Sequence, residues 1–175
     1  MKFKKSNKTI SYSFFLFAFM FTFIACHGTL FSYHGAFVDM ENRIALLENG
    51  PHEGIWKTRD LAVNYRYKTK ANMLQLSGQI EFNNHLQYNF TSLDHFSLSI
   101  YFIDEEGKIL GYKTIAIAGY RKRLKNISFD HNIEMPSNVK SISFGYNGRA
   151  SEGGGSDKSI HGGGDSWDFW KVPHR

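Results

Sequence analysis

The sequence predicts an all-β protein, an antiparallel β-sandwich of about seven strands occupying 57–175. Three observations carry this. Apolar residues alternate with a period of two through most of the chain after residue 56. Turn-forming groups, such as Asp104-Glu105-Glu106-Gly107 and Pro136-Ser137-Asn138, separate the alternating runs. Only one segment reads as a helix. Alternation of this kind leaves one face of each sheet buried and the other wet, and two such faces packed together make a sandwich.

Taken in chain order, the helix candidate comes first. Asp39 can cap it, Met40, Ile44 and Leu47 fall on one helical face, and Asn49-Gly50-Pro51 supplies a stop. At about ten residues it is marginal alone and must pack on something. The strands follow. Leu61, Val63, Tyr65 and Tyr67 alternate with polar neighbours, then Leu74, Leu76, Gly78, Ile80 and Phe82 do so again. Phe96, Leu98, Ile100 and Phe102 make the cleanest run, with Ser97, Ser99 and Tyr101 facing the other way. The Asp104–Gly107 turn returns the chain as Ile109–Ile117. Ile127 and Phe129 mark a further strand, Val139–Tyr146 another, and Trp167–Val172 the last.

The N-terminus has a different character. Residues 1–10 are basic and polar, and Phe14–Cys26 is apolar except for Thr22. A basic start followed by about a dozen apolar residues is the layout of a secretory signal peptide. Thirteen helical residues rise only about 20 Å, short of the roughly 30 Å hydrocarbon core, so a full transmembrane helix is the second choice. Composition supports the division. The chain of 175 residues carries 21 Lys+Arg against 16 Asp+Glu, a net charge of +5. Lys2, Lys4, Lys5 and Lys8 account for most of that excess, and 26–175 is nearly balanced. A nucleic-acid partner is therefore not expected.

The lone cysteine ends the apolar run, in Phe23-Ile24-Ala25-Cys26. This tetrapeptide resembles the lipobox of bacterial lipoproteins, in which two apolar residues and a small one precede the cysteine. Ile24, Ala25 and Cys26 match, and Phe23 stands where Leu is usual. The resemblance implies cleavage before Cys26 and two or three palmitate-type acyl chains on it. Each buried methylene contributes about 0.8 kcal/mol, so more than one chain holds a protein durably at a bilayer. His27 rather than Asp follows, so the resemblance implies export to the cell envelope, with the outer membrane favoured in a cell that has one. The expected organisation is a signal peptide over 1–25, a lipidated N-terminus, tether and short helix over 26–56, and the sandwich over 57–175. The stretch from Phe96 to Ile115 also resembles the central hairpin of small immunoglobulin-like domains in envelope lipoproteins, though without the paired cysteines of antibody domains.

Candidate chemistry is sparse. The glycine-rich loop 148–165 and Asp168 beside it hold Glu152, Asp157, Asp165 and Asp168, but at spacings of neither an EF-hand nor a calcium-binding glycine repeat. A mobile hairpin loop is the expectation. The eight histidines, at 27, 34, 52, 85, 95, 131, 161 and 174, form no metal-ligand spacing. No nucleophile elbow occurs, and Cys26 is committed to lipid. Neither metal nor cofactor is expected. Arg121, Lys122, Arg123 and Lys125 form the one basic cluster of the exported part, placed on a loop, where anionic groups could contribute roughly 1 kcal/mol per charge. Trp167 and Trp170 offer rings that can fill a core or stack on a ligand. The expected function is that of a membrane-anchored envelope lipoprotein, a non-enzymatic binding or structural module with an envelope protein or glycan as partner. The alternatives are a single-pass subunit of an envelope complex and a glycan-binding module.

Overall fold

The computed structural model describes residues 33–48, 50–152 and 165–174. The expected signal peptide, Cys26 and most of the expected tether lie outside the described residues, as do residues 153–164 of the glycine-rich loop, including Asp157. What is described is a two-sheet antiparallel sandwich. All seven expected strands form: β3 (Leu61–Lys70), β4 (Met73–Phe82), β5 (Ser92–Ile103), β6 (Ile109–Ala118), β8 (Ile127–Glu134), β9 (Ser141–Ser151) and β10 (Ser166–Lys171). Three more join them: β1 (Ile44–Ala45), β2 (His52–Lys57) and β7 (Arg121–Lys122).

One sheet has the order β1-β9-β5-β6, with β10 also on β9 and β7 also on β5. The other has the order β2-β3-β4-β8. Their inner faces interdigitate. Leu98, Ile100 and Phe144 from the first sheet and Leu61, Val63, Leu74, Leu76 and Ile80 from the second are fully buried in one core. The side-chain period of two places them there, because a strand delivers every second residue to the same face. The Asp104–Gly107 turn is closed by Asp104, whose carboxylate accepts from the backbone N–H of Gly107 and of Lys108, each at 2.8 Å. Gly107 has φ of +97°, a left-handed conformation that a side chain resists.

The N-terminal part departs from expectation. In place of a ten-residue helix there is one 3-10 turn, Met40–Asn42, followed by β1. Met40 is exposed, while Ile44 pairs with Ile142 of β9. A short helix lacks enough intrinsic stability to win over an available sheet edge. Tertiary bonds fix this outcome. Tyr67 donates its hydroxyl to the Ala45 carbonyl at 2.9 Å and accepts from the Leu47 N–H at 3.1 Å, and Ser143 donates to the Asn42 carbonyl at 2.7 Å. The compact unit thus begins near Tyr33 rather than at 57. Residues 33–38 cover the outer face of the first sheet beside the hairpin, where Val38, Tyr101, Ile103 and Ile109 form a second small core. A helix that no hydropathy pattern signals, α1 (Asn84–Asn89), follows β4 and buries Leu86.

Candidate functional site

The end of the sandwich opposite the Asp104–Gly107 hairpin gathers a group of polar and aromatic residues with specific geometry. It is organised by the β2–β3 turn. The Thr58 hydroxyl oxygen accepts from the backbone N–H of Asp60 at 3.2 Å and of Leu61 at 3.1 Å, the side-chain-to-backbone pattern by which threonine shapes turns. Arg59 stands at the tip and is exposed. Asp60 faces inward and is only 8% exposed.

A buried carboxylate needs partners, and Asp60 has two. The Tyr146 hydroxyl donates to one oxygen at 2.6 Å, and His85 Nε2–H donates to the other at 3.2 Å. Tyr146 comes from β9 and His85 from α1, so one carboxylate joins both sheets and the helix. Burial raises the Tyr146 phenol well above its ordinary range, and the bond to Asp60 raises it further. The Asn83 side chain completes the staple by donating to the carbonyls of Thr58 at 3.1 Å and Arg59 at 2.7 Å.

The Arg59 guanidinium lies over the Trp167 ring, 5.6 Å from its centroid. Trp167 and Trp170 are 42% and 68% exposed, so the two rings singled out from sequence are surface groups at this end of β10 rather than core fillers. Phe169, between them, fills that core position instead and is buried. Asp168 points the other way, to Arg149, whose Nε and Nη2 donate to its two oxygens at 2.7 and 2.6 Å. That bidentate pair holds the Asp168 carboxyl below its ordinary value, with the hydrogen bond from Arg149 as the main cause. Asp168 therefore serves an ion pair with Arg149.

The basic cluster divides. Arg121 and Lys122 form β7, which extends the path of β6 along β5 instead of crowning a loop, with Leu93 and Ser92 as their partners. The Gly119-Tyr120 interruption breaks the pattern only locally, and the β5 edge beyond it remains available for pairing. Arg123 and Lys125 are exposed on either side of Leu124, which is buried in the core. Along the strand register Trp167 pairs with Ala150, Ala150 with Leu93, and Leu93 with Arg121. Three strand spacings, about 14 Å, separate the ends of that row. The fold thus brings the tryptophans and the basic cluster to one end of one sheet without merging them. Sequence reasoning missed Asp60, His85 and Arg59. The sole local signal was a Thr-Arg-Asp triplet between two alternating runs.

Comparison with known proteins assigns no relative: no protein-family model matches the chain, and neither does any curated protein or solved structure. Among the described residues no helix is long and apolar enough to cross a membrane.

Proposed function

We propose that the chain is a lipid-anchored protein of the cell envelope, held at the membrane by acyl chains on Cys26 and acting as a non-enzymatic binding or structural module. The observation that carries this is the position of the lone cysteine, after a small residue at the end of a short apolar run that follows a basic start. The fold is compatible with it. The compact unit begins at Tyr33, with six residues of sequence between it and Cys26. The module reading is supported by the use made of polar groups: Thr58, Asp60, His85 and Tyr146 bond one another and the backbone, joining turn, helix and opposite sheet.

Metabolic labelling with an alkyne fatty acid tests the anchor. The wild-type chain should take up label and partition with membranes, and Cys26→Ser should do neither. Globomycin should cause the precursor to accumulate. Equal labelling of both proteins would overturn the lipid anchor. Membrane retention without label would favour an uncleaved single-pass anchor.

A further inference from the structure

Two clefts meet at Arg59. One, of about 370 Å³, is lined by Thr58, Arg59, Asp60, Tyr146, Trp167 and Trp170 among others. The other, of about 700 Å³, is lined by Arg59, Asn83, Asn84, His85, Gln87 and Asn126 among others. We infer that together they form a binding site for a neutral oligosaccharide, with the exposed Trp170 indole as the stacking platform, Trp167 as the support of the Arg59 guanidinium, and the Arg59–α1 side as the hydroxyl-reading surface. This deepens the reading of the chain as a binding module and does not depend on how Cys26 is processed.

The chemistry selects the ligand class. A pyranose presents an apolar C–H face and a rim of hydroxyls that both donate and accept. An exposed indole offers a flat apolar face to the first, and its geometry costs little conformational entropy on binding. The Asn84 and Asn126 amides and the Arg59 guanidinium offer donors and acceptors to the second, while Asn83 and Gln87 donate to backbone carbonyls and present their amide oxygens. The second cleft is lined by four amide side chains, a histidine and an arginine, too polar a wall for a lipid tail or another apolar ligand, which needs a largely apolar pocket.

Charge decides against the other stacking ligand, a single-stranded nucleic acid. Arg59 and Lys171 are opposed in these linings by Asp60, Glu81 and Asp168, so the described lining of the two clefts offers no positive track to follow a phosphate backbone. Preorganisation adds to the case. The Arg59 turn is held by Thr58 and by both Asn83 bonds, and Arg59 itself rests on Trp167. The reading surface around Arg59 is therefore set before a ligand arrives, which lowers the cost of binding.

The test uses the full chain in a detergent without a sugar headgroup. It is applied to an array of neutral oligosaccharides and titrated with soluble cellohexaose, maltohexaose and chitohexaose while tryptophan emission is followed. At least one neutral glycan should be retained on the array and change the emission saturably. Trp170→Ala and Arg59→Gln should each weaken that binding by about tenfold, with circular dichroism and melting temperature unchanged. Trp170 is so exposed that its removal leaves the fold intact, so loss of binding there cannot be attributed to unfolding. Three results would overturn the site: no retention of any glycan, binding that survives both substitutions, or retention only of polyanions such as heparin or single-stranded DNA with loss at moderate salt. Fatty-acid labelling of Cys26 is scored on the same cultures, so failure of the anchor and failure of the glycan site appear separately.

Discussion

Tyr146 and Asp60, 86 residues apart, share a 2.6 Å hydrogen bond that couples the two sheets at the cleft end of the sandwich. Each is nearly inaccessible to water, and while His85 serves one Asp60 oxygen, the Tyr146 hydroxyl serves the other. Removing the phenol oxygen leaves one carboxylate oxygen without its donor, and an unsatisfied buried group costs about 1–3 kcal/mol. Tyr146→Phe should lower the urea midpoint accordingly with an unchanged slope. The same change in an Asp60→Asn background should cost less, because the charged acceptor is already gone. Additive losses would show that the pair does not act as a unit.

Why that pair was invisible in the sequence is a matter of distance along the chain. Period-two patterning reports which side of a strand is buried, and it located Phe96, Leu98, Ile100 and Phe102 correctly. It says nothing of what lies opposite. Tyr101 reads as a solvent-facing residue on the same pattern, yet it is buried, because Tyr33 and residues from the hairpin end cover that outer face. His131 sits at an inward position of β8 and bonds the Ile115 carbonyl, at a bulge where β6 passes an extra residue against β5. Such a bridge between two sheet edges follows from tertiary placement alone. Trp167 and Trp170 were legible as rings. Their neighbour Arg59 was not, since a turn more than 100 residues earlier supplies it.

Ile100 tests the sandwich itself. It is fully buried at mid-strand, between Phe144 of β9 and Lys113 of β6 in register. An aspartate there would place an unpaired carboxylate in the core at a cost of several kcal/mol, comparable with the whole stability of a small domain. Ile100→Asp should therefore abolish the β-type circular dichroism and the cooperative melt. Retention of both would mean that this face of β5 is not the buried one.

Tyr101 gives the pH dependence. Burial, with Tyr33 and Tyr112 beside it, pushes its phenol up from 10.0 to about 12. The folded chain holds this proton more tightly than the unfolded chain, so the contribution to stability is complete below about 10 and is lost as pH rises from there to about 12. Melting temperature should fall through that range, and Tyr101→Phe should flatten the fall. Absorbance at alkaline pH should show one late-titrating tyrosine fewer in the variant than in the wild type, the raised Tyr146 remaining in both. An identical fall in both proteins would assign the alkaline loss to other groups.

Gly148 and Phe169 test the docking of β10. They are cross-strand partners, and the Phe169 ring occupies the space above the glycine. A Cβ added at 148 would lie 2.5 Å from the ring Cζ, with Cε2 and Cε1 at 2.9 and 3.0 Å. The ring is buried and held among Phe82, Phe96 and Tyr146, so it cannot move aside freely. Overpacking of this kind costs about 1–3 kcal/mol. Gly148→Ala should destabilise by that amount in urea. Combined with Phe169→Leu, it should cost less than the sum of the two single changes. Strict additivity would place the strain elsewhere.

The last prediction concerns the chain between β9 and β10. The two strands pair from Ser151 and Ser166 onward, and just outside that pair the Glu152 N–H donates to the Asp165 carbonyl at 2.9 Å. The ends of the connection are thus held by the ladder itself. Within 153–164 the sequence offers one aliphatic side chain, Ile160, and six glycines, so ordering it would recover little apolar burial for a high entropic cost. Loop-closure entropy changes by only about 0.6 kcal/mol per halving of length. Replacing 153–164 with a four-residue turn should shift the melting temperature by about a few degrees at most. Calcium should leave the melting temperature of the intact chain unchanged, because Asp168 is engaged by Arg149. A large loss of stability on shortening, or a calcium-dependent rise, would mean that the glycine-rich segment holds structure or a ligand of its own.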